Sequence, residues 1–330
     1  MVESPPVDHS PKGSAILSLA ETTALIARLR QNVENVLLGK REVVDLSLVA
    51  LLADGHILIE DVPGVGKTLL AKGLARSLSC SFHRIQFTPD LLPSDLIGTS
   101  VFHQPTGKFE FHPGPLFAQI VLADEINRAT PRSQSALLEA MSDRSVSVDG
   151  KTHFLQSPFM VLATQNPFEF EGTYPLPESQ LDRFLLRIRI GYPSRSAEKD
   201  VLSMHRQGEP VDSLKPVFGA TEVLALQERV RQVRFEGKLQ DYLLDIVEST
   251  RTSPQVTLGA STRAGLALYR ASQALALIEN RDYVIPDDIK RLAAPVLGHR
   301  LILKRSRQTN AKEAAASFLD EMMSRLVVPT

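Results

Sequence analysis

The chain has 330 residues, 37 Lys and Arg against 38 Asp and Glu, and a single Cys. That length admits about two domains and a core that stands without disulfides or metals, and one thiol excludes an intrachain disulfide framework or a four-Cys zinc ribbon. A net charge of −1 argues against a basic, nucleic-acid-coating surface, no run approaches the ~20 apolar residues of a membrane span, and the N-terminal MVESPPVDHSPKGSA lacks the basic-then-apolar order of a signal peptide, so a soluble, cytoplasmic protein is expected.

Residues 1–14, rich in Pro and Ser, read as a flexible tail. From Ile16 to Leu38 apolar residues recur near helical spacing, and a second helical run spans Glu42 to Ala53, ended by Asp54-Gly55. Short apolar runs then alternate with helical ones. The runs are His56–Glu60, His83–Phe87, Ile120–Ala123, Phe159–Thr164 and Phe184–Ile190; Thr68–Leu78 and Gln134–Met141 read as helices between them. That alternation predicts a parallel sheet covered on both faces. In the last run the apolar residues alternate with Leu185, Arg187 and Arg189, which suits an edge strand with one face in water. Thr99–Pro113 and Arg144–Leu155 read as inserted β-hairpins, the second turning at Asp149-Gly150. After Pro193 only helices are expected: Arg195–His205, Glu222–Val233, Leu239–Glu248, Thr262–Glu279 and Asp287–Leu297.

The chemistry concentrates at the ends of the apolar runs. His56–Glu60 feeds Asp61-Val62-Pro63-Gly64-Val65-Gly66-Lys67-Thr68 and then a helix, the setting a phosphate-binding P-loop requires. Gly64 and Gly66 let backbone N–H groups approach phosphate oxygens, and the helix start at Lys67 adds its positive dipole end. The binding set runs Val62, Pro63, Gly64, Val65, Gly66, Lys67, Thr68 and Leu69. Lys67 is expected on the β- and γ-phosphates and the Thr68 hydroxyl on Mg²⁺. Asp61 stands where the pattern has its first glycine; Asp tolerates positive φ better than most residues, so the loop is expected to keep its shape.

The run Ile120–Ala123 ends in Asp124-Glu125, a Walker B arrangement. Asp124 is expected to hold Mg²⁺ through its waters and Glu125 to polarise an attacking water. Phe159–Thr164 ends at Gln165-Asn166; Asn166 could sense a γ-phosphate or cap the turn before Pro167. Arg183, at the mouth of the last apolar run, and Arg263, at a later helix start, suit either phosphate recognition or surface ion pairs. Arg128 and Arg132 follow the acidic pair and could face a nucleotide or a neighbouring subunit. Cys80 reads as small, buried and inert, and His103 and His112 as cross-strand neighbours in the first hairpin.

The order of these motifs resembles the MoxR family of AAA+ ATPases over nearly all of the chain after the tail. The matching stretches are HILIEDVPGVGKT (His56–Thr68), RIQFTPDLLPSDLIG (Arg84–Gly98), ADEINRATPRSQSALLEAM (Ala123–Met141), ATQNPFEFEGTYPLPESQLDRF (Ala163–Phe184), GASTRA (Gly259–Ala264) and RDYVIPDDI (Arg281–Ile289). The resemblance implies a three-layer α/β/α domain over residues 15–192, with a five-stranded parallel sheet in the order 5-1-4-3-2, and a helical lid over 193–330. It makes the hairpins a helix-2 insert (about 95–115) and a pre-sensor-1 hairpin (about 144–156). It assigns sensor 1 to Asn166, the arginine finger to Arg183 and sensor 2 to Arg263, and it places the adenine at Leu38-Gly39. It further implies ATP and Mg²⁺ as ligands, a hexameric ring, chaperone-like remodelling of proteins, and a partner carrying a von Willebrand factor A domain. Two alternatives are a nucleic-acid motor of the same hairpin-bearing clade and a magnesium-chelatase-like motor subunit. The insert tips carry few cations, so nucleic acid is not expected as a partner.

Overall fold

A computed structural model describes residues 17–167, 172–204, 208–304 and 311–329. The expected tail lies outside the described residues, as do His205 and residues 168–171 of the 163–184 stretch. Helix α1 (Leu19–Glu34) opens with a capping box: Ser18 Oγ accepts the Glu21 N–H at 3.3 Å, and the Ser18 N–H donates to Glu21 Oε2 at 2.9 Å. After α2 (Arg41–Leu52) come β1 (Ile57–Glu60), α3 (Lys67–Ser77), β2 (Phe82–Gln86) and the short α4 (Pro93–Ile97). Strands β3 (Gly98–His103) and β4 (Lys108–Pro113) form the first hairpin. Then follow β5 (Ile120–Asp124), α5 (Pro131–Asp143), the second hairpin of β6 (Ser145–Val148) and β7 (Lys151–Phe154), β8 (Met160–Gln165), α6 (Glu178–Leu181) and β9 (Leu186–Ile188).

The main sheet has the order β2-β5-β8-β1-β9, every pair parallel. Numbered among themselves, these five strands give 5-1-4-3-2 read from the β9 edge. Side chains alternate across it, as the two-residue repeat of a strand requires. Ile57, Ile59, Ile120, Leu122, Met160 and Leu162 join a core with α1, α2 and α3, while Leu58, Val121, Ala123, Val161 and Ala163 join one with α4 and α5. Burial on both faces explains why the central strands read as unbroken apolar runs. Asp149 and Gly150, both at positive φ, make the two-residue turn of the second hairpin. Phe111 stacks on His153, ring centroids 4.0 Å apart, and so joins the two hairpins. His103 pairs with Lys108 and His112 with Thr99. The two histidines therefore sit at opposite ends of the first hairpin and are not neighbours.

The rest is mainly helical: α7 (Arg195–Met204), α8 (Ala220–Arg231), α9 (Gly237–Thr252), α10 (Thr262–Ile278), α11 (Pro286–Leu297) and α12 (Ala311–Ser324). It also holds a short antiparallel ribbon, β10 (Val256–Leu258) with β11 (Ile302–Leu303), which the expectation of helices alone did not include. Two or three residues of strand are too short to show a period. This helical part packs through α10 onto α2, so its apolar residues continue the core around α1 and α2. That docking corrects one expectation for β9. The strand is at the edge, yet Arg187 does not face water: it is mostly covered, lies 3.7 Å from the buried Glu60, and packs beside the end of α11 at Gly298. Only Arg189 on that face is exposed.

Candidate active site

The carboxyl ends of β1, β5 and β8 lie side by side, because these strands are neighbours in a parallel sheet. They deliver the P-loop, Asp124-Glu125 and Asn166 to one cavity of about 540 Å³. Pro63, Gly64, Val65, Gly66, Lys67, Thr68 and Leu69 line it, together with Asp124, Glu125 and Asn166. Gly66 is the N-cap of α3 at φ +99°, and a Cβ there would lie 3.1 Å from Leu37. The backbone conformation calls for glycine, and the tight approach to Leu37 adds to that preference. Lys67 Nζ donates to the Asp61 carbonyl at 2.8 Å.

Asp61 departs from expectation. Its φ is not positive, so the loop does not depend on the tolerance of Asp for that conformation. Its side chain instead accepts hydrogen bonds from backbone N–H groups.

The cavity has two unlike ends. Val36, Leu37, Leu38, Pro193, Val201 and Val211 give it an apolar end. Lys67, Lys72, Arg84, Asp124 and Glu125 give it a charged one, and Lys40 and Glu209 line the cavity beside the apolar residues. Leu38 lines the cavity, but Gly39 and Val62 do not. Gly39, at φ +69°, turns its back to α7, where a Cβ would meet Ala197 at 3.1 Å. Val62 packs against the apolar core.

The acidic pair is held by residues that sequence reasoning did not single out. Thr164, fully buried, donates from Oγ1 to Asp124 Oδ1 at 2.6 Å and accepts the Glu125 N–H at 2.9 Å. Arg84 Nη2 donates to Asp124 Oδ2 at 2.7 Å, and Gln86 Nε2 donates to Glu125 Oε2 at 2.7 Å. Arg128 lies 3.3 Å from the same Glu125 carboxylate but does not itself line the cavity. Glu125 itself sits at φ 57°, ψ 48°. A non-glycine residue in that left-handed region is an uncommon backbone state that clusters at functional sites. The signal for Arg84 and Gln86 was available as alternate residues of β2, beside β5, but required the strand order.

Neither predicted remote arginine enters this cavity. Arg183 Nη1 donates to the Leu138 carbonyl at 2.8 Å and to Ser142 Oγ, at the end of α5. Arg263 is exposed at the start of α10. The two segments are nevertheless joined: Ser261, the N-cap of α10, donates from Oγ to Asp182 at 3.2 Å. Arg132 is exposed at the start of α5.

The residues fit a magnesium nucleotide. Thr68 and Asp124 offer hard oxygen donors in one cavity, the set Mg²⁺ selects when it keeps most of its waters. The apolar end suits a base and the lysines suit phosphates. Among the described residues no group of three His, Cys, Asp or Glu could form another metal site. Nor is any helix long and apolar enough to cross a membrane.

Residues 56–186 match the model of the ATPase family associated with various cellular activities (AAA), and residues 248–321 match the AAA lid domain. Chaperone MoxR1 of Mycobacterium tuberculosis is 43% identical over 90% of this chain and 81% of its own. The chain belongs to the MoxR family of AAA+ ATPases. Protein YeaC of Bacillus subtilis, 51% identical over 92% of this chain and 95% of its own, is a further relative. A crystal structure from Cytophaga hutchinsonii superposes with a TM-score of 0.85 at 36% identity, covering 94% of this chain and 97% of that one. The fold is thus an AAA+ ATPase domain with a helical lid, as the MoxR resemblance implied.

Proposed function

We propose that this MoxR-type ATPase binds and hydrolyses ATP with Mg²⁺ between subunits of a ring, and uses the cycle to remodel protein partners. The observation that carries the reading is the single cavity receiving the P-loop, the acidic pair and Asn166 from adjacent strand ends, with an apolar end for the base. Lys67 and the N-terminus of α3 bind the phosphates. Thr68 and Asp124 hold Mg²⁺, which when bound neutralises charge on the phosphate oxygens. Glu125 orients and polarises the attacking water, and Asn166 contacts the γ-phosphate. Residues 15–192 form the ATPase domain and 193–330 the lid.

Arg183 and Arg263 serve a neighbouring subunit in this reading. Their exclusion from their own cavity and the Ser261–Asp182 hydrogen bond that joins their segments support a shared role across an interface. An arginine supplied in trans contributes roughly 10³–10⁵ in rate in other NTPases. A hexameric ring, a partner with a von Willebrand factor A domain and a cytoplasmic location complete the proposal. Its support is the family, which includes a relative named as a chaperone.

The test is a Glu125→Gln variant, expected to bind ATP and to lose hydrolysis. Used as bait, it should recover a protein bearing a von Willebrand A domain. Recovery of replication proteins or salt-sensitive DNA binding would favour the nucleic-acid motor instead. Wild-type activity should rise faster than linearly with protein concentration; strict proportionality would count against the ring.

A further inference from the structure

Asp61 occupies the first-glycine position of the P-loop and is nearly buried. Its Oδ1 accepts the Val62 N–H at 2.8 Å. Its Oδ2 accepts two successive N–H groups, from Ile190 at 2.8 Å and Gly191 at 2.6 Å. Ile190 and Gly191 lie just after β9, where the chain leaves the sheet, and Gly191 takes φ +66° there. One residue further on, the Tyr192 carbonyl accepts from Lys40 Nζ at 2.7 Å. Pro193 then lines the apolar end of the cavity, and α7, which follows, adds Val201. Among the described residues of α7 only Ala197 is buried, so its own packing holds it weakly.

The chemistry sharpens the question of why an acid stands here. A carboxylate beside an anion-binding loop opposes phosphate binding by like charge. A glycine at this position would carry no such cost. Three charge-assisted hydrogen bonds from backbone N–H groups satisfy the carboxylate where it is. Two of them reach out of the loop to residues 190 and 191.

We propose that Asp61 is a positioning residue that ties the phosphate loop to the exit of β9 and thereby fixes the wall closing the base end of the cavity. The inference rests on the ATP-site reading and adds to it how the two ends of the site are held together. It separates base retention from phosphate retention, and the two respond differently to one substitution. Asp61→Gly removes the tie and the opposing charge together. Binding that depends on the base wall weakens; binding of phosphate alone does not.

The experiment compares Mg²⁺-ADP with inorganic tripolyphosphate on the full chain, by calorimetry and by competition against a fluorescent ADP analogue. Asp61→Gly is expected to raise the Kd for ADP about tenfold, the scale of a lost charge-assisted hydrogen bond, while tripolyphosphate binds equally well or more tightly. Asp61→Asn, which keeps the volume and one acceptor oxygen, should weaken ADP by a smaller factor and provides the measurement if the glycine variant does not fold. Equal weakening of both ligands, or no weakening of ADP, overturns the proposal and leaves the ATP site standing. A wild-type chain that binds ADP but not tripolyphosphate also overturns it, since the loop would then hold no phosphate on its own. A wild-type chain that binds neither overturns the ATP-site reading and this inference with it.

Discussion

Arg300, 3% exposed, donates from Nε to Asp182 Oδ1 at 2.7 Å, and Asp182 is the residue immediately before Arg183. The same guanidinium donates to the carbonyls of Asp182 at 3.2 Å, Phe184 at 2.7 Å and Leu185 at 3.2 Å, and to that of Val296. One lid side chain thus grips the backbone on both sides of the arginine finger candidate. Burial lowers its pKa and the Asp182 carboxylate counters that shift.

Removing one partner of such a pair leaves a charge and several carbonyls without donors. Arg300→Met is therefore expected to destabilise the protein by about 3 kcal/mol, read by urea denaturation. Arg300→Lys should recover little, because an ammonium cannot reproduce a planar fork spread over five acceptors. A change in stability below about 0.5 kcal/mol for Arg300→Met would refute this account of the junction.

Thr164 offers a test within the site. It is isosteric with valine, and its hydroxyl connects the Asp124 carboxylate to the Glu125 backbone. Thr164→Val should lower kcat for ATP about tenfold, equivalent to roughly 1.4 kcal/mol of misplaced catalytic geometry, with KM within about twofold. Steady-state kinetics decide it; an unchanged kcat would show that the acidic pair is placed without Thr164.

How far the sequence reaches is visible in these two residues. The buried central strands announce themselves as apolar runs, and the loop between β1 and α3 announces its chemistry by spacing, so the cavity floor was legible. Thr164 was hidden because one hydroxyl at the end of an apolar strand looks like any other. Arg300 was hidden because most of its partners lie in the segment Asp182–Leu185, more than a hundred positions away. The placement of Arg187 and Arg263 depended on how α10 and α11 dock on α2 and β9, a tertiary packing choice that no local pattern encodes. Asp61 was noticed as an exception, but its partners follow β9 and came into view only with the strand order.

Stability should also depend on pH through buried histidines. His56 accepts the Val161 N–H at Nδ1, at 3.0 Å, which leaves Nε2 to donate to the Met141 carbonyl at 3.1 Å. The ring is neutral, and burial lowers its pKa to about 4 from 6.5. His299 is lowered in the same direction by burial and by the nearby Arg300. As pH falls the unfolded chain takes up these protons first. The stabilisation is whole above about pH 6.5 and is lost from there down towards pH 4, amounting for His56 to about 3 kcal/mol. Denaturation midpoints between pH 6.5 and 5 should fall steadily, with a shallower slope in His56→Gln. Equal slopes would show that His56 is not the group responsible.

The interface assignment can be decided by mixing inactive subunits. Glu125→Gln lacks the group that polarises water but keeps both arginines. Arg183→Ala keeps a complete cavity of its own, because Arg183 turns to α5 and does not line that cavity. If Arg183 acts across an interface, a mixed ring contains interfaces with an intact cavity on one side and an intact arginine on the other. In a random equimolar ring these are about a quarter of all interfaces, given head-to-tail closure. ATPase activity should therefore reappear on mixing two inactive preparations, at up to about a quarter of the wild-type rate. The same mixture made with Arg263→Ala tests the second arginine. The Ser261–Asp182 hydrogen bond, which joins its segment to that of Arg183, predicts rescue there too. A lid arginine acting on its own subunit's nucleotide would give no rescue, because no interface in that mixture would carry both Glu125 and Arg263 in one chain. Activity restored with Arg183→Ala but not with Arg263→Ala would thus return Arg263 to its own subunit and leave the arginine finger in place.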